Sequence, residues 1–195
     1  MSRAAPAAGC PAFEAPGDAW RRPHDNCYWL LPGALLAGQH PGAADADAMP
    51  AAMVALLNVG IRQWLDLTSA VETLPDYRNV LAGCAASRGQ QVQVRRLPIA
   101  DYAVPDAALM RRILDTLQAA LRAGQPLYLH CHGGIGRTGT VVGCLLVEHG
   151  YTPDQALVLL ARKWRVMAKR AGAPVTPETD EQRGFVLSWV PGAGR

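Results

Sequence analysis

No apolar run in this 195-residue sequence approaches the roughly 20 residues that a spanning helix needs, so no membrane association is expected. Charge is scarce as well. Only 18% of the residues are charged, and 19 basic against 16 acidic side chains leave a net +3, too weak an excess to argue for nucleic acid. No two cysteines form a C-x-x-C pair. Cys10, Cys27, Cys84, Cys131 and Cys144 are scattered and odd in number, which suits a reducing compartment better than a disulfide framework and points to the cytoplasm. "AAGC" at 7–10 ends like a lipoprotein signal, but "MSRAAP" before it is no apolar h-region. His24, His40 and His149 show no metal-ligand spacing. No metal or organic cofactor is implied.

Half of the residues are apolar, and the length suits one domain with a sizeable core. Residues 1–26 are rich in Ala, Pro and Gly without periodicity, and read as a mobile leader before a domain at 27–190. Apolar, β-rich runs predict strands at 27–31, 34–38, 61–67, 91–99 and 126–130. Helices are expected at 49–60, loosely at 71–88 around Pro75, and at 104–124, where Met110, Ile113, Leu114, Leu117 and Leu121 share one face. Three more follow at 138–149, 154–170 and 176–190, the last with Thr176 as N-cap and Pro177 in the first turn. This alternation is that of a single α/β domain, with a mostly parallel sheet of about four or five strands flanked by helices.

Between the strand at 126–130 and the helix at 138–149 lies "HCHGGIGRTG" (130–139). Gly134, Gly136 and Gly139 spell G-x-G-x-x-G, the mark of a dinucleotide turn. The context disagrees. No second strand separates the following helices, and Asp154, at the right distance for a ribose contact, starts a helix. A Walker A loop fails too, because Thr140 follows where a lysine is required.

A thiolate reading fits better. Cys131 ends a strand, and Arg137 follows five residues later. The intervening His132, Gly133, Gly134, Ile135 and Gly136 can curl so that their N–H groups surround an anion, backed by the positive end of the next helix. Arg137 grips two phosphate oxygens with its planar fork. The same field favours the thiolate of Cys131, the nucleophilic form. Thr138 is placed to donate its hydroxyl to the sulfur, and His130 to fix the loop from beneath. The leaving oxygen needs a proton, for which Asp101 in "LPIADYAVPD" is the first candidate and Asp106 the second.

"HCHGGIGRT" resembles the H-C-x-x-G-x-G-R-[ST] signature of the cysteine-dependent dual-specificity and tyrosine phosphatases, and "PIADYAVPD" resembles the acid loop of the kinase-associated type. The likeness runs from "LLPGALLAG" through "TSAVETLPDYRNVL" to the C-terminal helix. It implies a protein tyrosine phosphatase-like fold and Asp101 as general acid. It also matches Gln182 to the glutamine that positions the hydrolytic water, and implies a phosphorylated protein or peptide as substrate, on tyrosine and on serine or threonine. The loop lacks lysine, which suits a protein phosphomonoester rather than a polyanionic lipid.

Two other functions stay open at this level: a phosphate-binding module without turnover, and a rhodanese-like sulfurtransferase. Cys84 as a thiol that protects Cys131 is weighed against a small core residue, which is favoured. Lys163, Arg162, Arg165, Lys169 and Arg170 read as a solvated basic face.

Overall fold

In the computed structural model, which describes residues 11–16, 18–42 and 47–194, five short strands build one sheet. They are β1 (Cys27–Leu31), β2 (Leu35–Gly38), β3 (Gln63–Asp66), β4 (Gln93–Arg96) and β5 (Leu127–His130), ordered β1-β2-β5-β3-β4. β1 and β2 form an antiparallel hairpin, and all other neighbours are parallel. The mostly parallel α/β sheet expected from the alternation is the one observed.

Period-two alternation sends successive side chains to opposite faces. Leu127, Leu129 and Cys131 enter one apolar cluster together with Leu35, Ala37 and Leu65. Tyr128 enters the other, with Leu36 and Trp64. The first face is covered by α3 (Ala107–Arg122), α4 (Gly136–Glu148), α5 (Pro153–Trp164) and α6 (Asp180–Ser188), the second by α1 (Met49–Asn58) and α2 (Arg78–Ala86). The predicted stripe of α3 is buried at Met110, Ile113, Leu114 and Leu117. Among the described residues no helix is long and apolar enough to cross a membrane.

Register places the site. Asp66 pairs with both Arg96 and His130, so three parallel strands end side by side. The loops leaving those ends carry Glu72 after β3, Asp101 after β4 and Cys131 after β5. Functional groups gather at the carboxyl ends of parallel strands for this reason.

Four expectations need correction. The stretch read as a mobile leader holds at least one residue packed into the core, Phe13, and residues 1–10 lie outside the described residues, as does Cys10. Phe13, 1% exposed, sits against the rings of His149 and Tyr151, and Glu14 pairs with Arg162 at 2.6 Å. Secondly, α2 starts only at Arg78, because 71–77 is the loop that delivers Glu72 and Tyr77. Thirdly, the penultimate helix stops at Trp164. The chain turns extended at Met167, whose side chain is buried, and resumes as a 3₁₀ turn at Ala168–Ala171. Lys163 does not belong to the supposed basic face, being buried on the carbonyls of Ala15 and Leu30, whereas Arg162, Arg165 and Arg170 are exposed. Finally, Thr176 is not the N-cap of the last helix; Thr179 is, in a capping box with Gln182. The Thr176-Pro177 peptide is cis, and the Thr176 hydroxyl donates to the Ile135 carbonyl at 2.8 Å.

Candidate active site

Cys131 follows β5 directly and is 2% exposed. The Gly134 N–H donates to its sulfur at 3.2 Å. α4 begins at Gly136, two residues earlier than the sequence suggests, so Arg137 stands in its first turn. Carbonyls of the loop are held from outside. His132 O accepts from the His40 N–H at 2.9 Å, Gly133 O faces the Lys169 ammonium at 3.4 Å, and Ile135 O accepts from Thr176. A trans peptide points its N–H opposite to its C=O, so carbonyls tied outward turn the amides of Gly133, Gly134 and Gly136 the other way, as the bond to the sulfur demonstrates at Gly134. Gly134 has φ +77°, and a Cβ there would lie 2.4 Å from the Gly38 backbone, so only glycine fits.

Arg137 is buried and held on several sides. Its Nη1 donates to Glu72 Oε1 at 2.6 Å and to Ile99 O at 3.1 Å, while Nη2 donates to Glu72 Oε2 at 2.9 Å and lies 2.8 Å from Asp101 Oδ1. Burial disfavours the guanidinium charge, but Glu72, Cys131 and Asp101 outweigh it and raise its pKa. Glu72 shows the mirror effect. Burial raises its pKa, and the hydrogen bonds from Arg137 and the Ser69 N–H more than reverse this, so it stays ionised.

Beneath the loop, His130 is wholly buried and its pKa is lowered, by burial above all. The Cys131 carbonyl, 3.2 Å from Nδ1, can only accept, so Nδ1 carries the proton. Nε2 then accepts from the Tyr77 hydroxyl at 2.8 Å. The expected role of His130 as support from beneath has this geometry.

Residues 24–186 match the family described as PTP-SAK: Swiss Army Knife protein, DSP-PTPase phosphatase domain. The chain belongs to that family. Human cyclin-dependent kinase inhibitor 3 is 39% identical over 62 residues, which make up 31% of this chain and 29% of that protein. The match thus spans under a third of the curated relative's length. Among solved structures, the kinase associated phosphatase with its catalytic-site cysteine changed to serine has a TM-score of 0.62 at 22% identity, covering 78% of this chain and 83% of that one. TpbA of P. aeruginosa in complex with pTyr has a TM-score of 0.55 at 21% identity, covering 87% of this chain and 93% of that one. These two show a shared fold.

Within this DSP-PTPase domain the remaining sequence candidates separate. Asp101 is half-exposed at the loop mouth, and Asp106 instead caps α3, accepting from the Leu109 N–H at 2.7 Å. His132 is half-exposed, with Nδ1 4.0 Å from Glu72 Oε2. Thr138 is fully buried, but its hydroxyl has no hydrogen-bond partner among the described residues, so the expected donation to the sulfur is not made here. Gln182 is fully buried. Its Oε1 accepts from the N–H groups of Glu178 and Thr179, and its Nε2 donates to Ala103 O on the acid loop at 3.3 Å. A Cβ at Gly136 would meet it at 2.6 Å, so Gln182 lies directly on the phosphate loop. Cys84 packs with the apolar cluster on the opposite sheet face from Cys131, as a small core residue does.

Glu72, Tyr77, Lys169 and Thr176 escaped the sequence reading as site residues. Glu72 carried a usable signal, being an acid in the loop after a parallel strand, the position that marked Asp101. Ligand atoms of Glu72, Asp101 and His132 lie within 4.8 Å of one another, a spacing a metal could use. Both carboxylates already face the guanidinium of Arg137, which supplies the cation there.

Proposed function

We propose that this domain is a cysteine-dependent phosphatase that hydrolyses phosphomonoesters of proteins, on tyrosine and on serine or threonine, through a cysteinyl-phosphate. One observation carries the reading: the Cys131 sulfur accepts an N–H from its own loop, within electrostatic reach of the Arg137 guanidinium, on which Asp101 rests at 2.8 Å. In the first step the thiolate attacks phosphorus. An S–P bond forms, the P–O ester bond breaks, and Asp101 gives its proton to the departing oxygen. In the second, water attacks phosphorus, Asp101 takes the water's proton, and the sulfur leaves as thiolate.

Arg137 and the loop amides hold the phosphoryl oxygens throughout. Thr138 supplies a hydroxyl without a competing partner for the departing sulfur, and Gln182, against both the loop and the acid segment, orients the water. No metal or organic cofactor takes part. The chemistry suits a cytoplasmic home, where the thiol stays reduced.

The test is turnover of an aryl phosphate and of phosphotyrosine and phosphothreonine peptides. Cys131→Ser should abolish it, and turnover that survives the change would overturn the mechanism. Phosphopeptide binding without turnover by the unaltered protein would favour the silent phosphate-binding module instead.

A further inference from the structure

Of the 19 Lys and Arg residues only Lys163 and Lys169 are lysines. Lys163 serves the packing of residues 11–16. Lys169 sits on the 3₁₀ turn Ala168–Ala171, which is tied down by Ala168 N–H on Asp25 O and Lys169 N–H on Asn26 Oδ1, each at 3.0 Å. Its half-buried ammonium lies 3.4 Å from Gly133 O and has no ion pair within 4.0 Å among the described residues. Burial lowers its pKa, against the raising effect of charge at Cys131 and Glu178.

Gly133 O belongs to the same peptide unit as the Gly134 N–H that meets the Cys131 sulfur at 3.2 Å. A cation on the carbonyl side polarises that unit and strengthens its N–H as a donor. It also fixes the peptide plane in the orientation the sulfur needs.

We propose that Lys169 is a positioning residue for the nucleophile, holding the Gly133–Gly134 peptide with its N–H on Cys131 and adding positive charge around the thiolate. This rests on the phosphatase reading for its purpose, but not for its test. The charged and titratable groups around the pair are Arg137, Tyr28 and Tyr128 near the sulfur, and Glu178 and His24 near the ammonium. Burial lowers His24 to about 4 and raises both tyrosines, so none of these three changes charge in the working range.

The experiment follows iodoacetamide alkylation of Cys131 by mass spectrometry from about pH 5 to about pH 9, in the unaltered protein, Lys169→Met and Lys169→Arg, with melting temperatures measured alongside. Lys169→Met should be alkylated roughly three- to tenfold more slowly at the acidic end, with the alkaline plateau kept, and Lys169→Arg should recover most of the rate. Profiles that coincide would overturn the proposal. So would a loss by the same factor at every pH, which marks a structural role. Aryl phosphate turnover by the unaltered protein is measured separately, so failure of the phosphatase reading is distinguishable from failure of this one.

Discussion

Arg137 and Glu72 meet through two parallel hydrogen bonds, of 2.6 and 2.9 Å, and Asp101 Oδ1 forms an ion pair with Nη2 at 2.8 Å. Glu72 is braced in turn by the Ser69 N–H at 2.7 Å. One guanidinium therefore has a fixed carboxylate and an exchangeable one. Glu72 sets the orientation of the fork. On the phosphatase reading proposed above, Asp101, half-exposed, holds the place that a phosphate oxygen would take.

Glu72→Ala should leave the buried Arg137 held only by Asp101 and the Ile99 carbonyl, without the paired acceptors that set its orientation. Catalytic efficiency on an aryl phosphate is expected to fall roughly 10- to 100-fold, while Glu72→Gln, which keeps the shape and one acceptor, should fall less. The pair also gives a pH dependence with a definite sign. The folded-state pKa of Glu72 is lowered, so its contribution to stability is full above the ordinary carboxylate range and is lost as pH falls through the folded value. Acid denaturation of the unaltered protein and of Glu72→Gln, followed by circular dichroism, should show a shallower loss in the variant.

Asp101→Asn should have two effects of opposite direction. Turnover of an alkyl phosphate is expected to fall roughly 10²- to 10⁴-fold, because the leaving oxygen loses its proton donor. Tungstate or phosphate, read by its inhibition or by calorimetry, should bind several-fold more tightly, because Arg137 no longer trades an ion pair for the ligand. Weaker oxyanion binding in the variant would show that Asp101 does not compete for Arg137.

The turn from Cys131 to Arg137 and the loop position of Asp101 were legible in the sequence because both are local. Cys131, Arg137 and the glycines sit in one turn whose geometry follows from their spacing, and Asp101 follows a strand with visible alternation. Glu72, Tyr77 and Lys169 were not, since each reaches the loop through tertiary packing from a separate segment. Lys169 hid inside a run read as helix. Nothing between Trp164 and Gly172 signals a stop, and the break at Met167 answers to burial of that side chain rather than to a glycine or proline. Phe13 was similarly invisible, as one aromatic residue in an Ala- and Pro-rich stretch gives no period.

Gln182→Leu separates structure from chemistry at the C-terminal helix. Its side chain completes the capping box and bridges to Ala103 O. Loss of these bonds should cost about 1–3 kcal/mol of stability, seen as a lower melting temperature. Turnover should slow at breakdown of the cysteinyl-phosphate, giving a burst of released phenol followed by a slow steady state. A uniform loss without a burst would assign Gln182 to the fold alone.

Tyr77→Phe removes one hydroxyl from a buried chain that ends at the nucleophile's own carbonyl. His130 Nε2 would lose its donor in a site closed to water, at a cost of about 1–2 kcal/mol. His130 would then be free to take the other tautomer, which gives up the bond from Nδ1–H to Cys131 O. Aryl phosphate turnover is therefore expected to fall about tenfold with the Michaelis constant little changed, because the loop still binds phosphate while its sulfur is less well aimed. A change confined to the melting temperature would place Tyr77 in the core and outside the catalytic support.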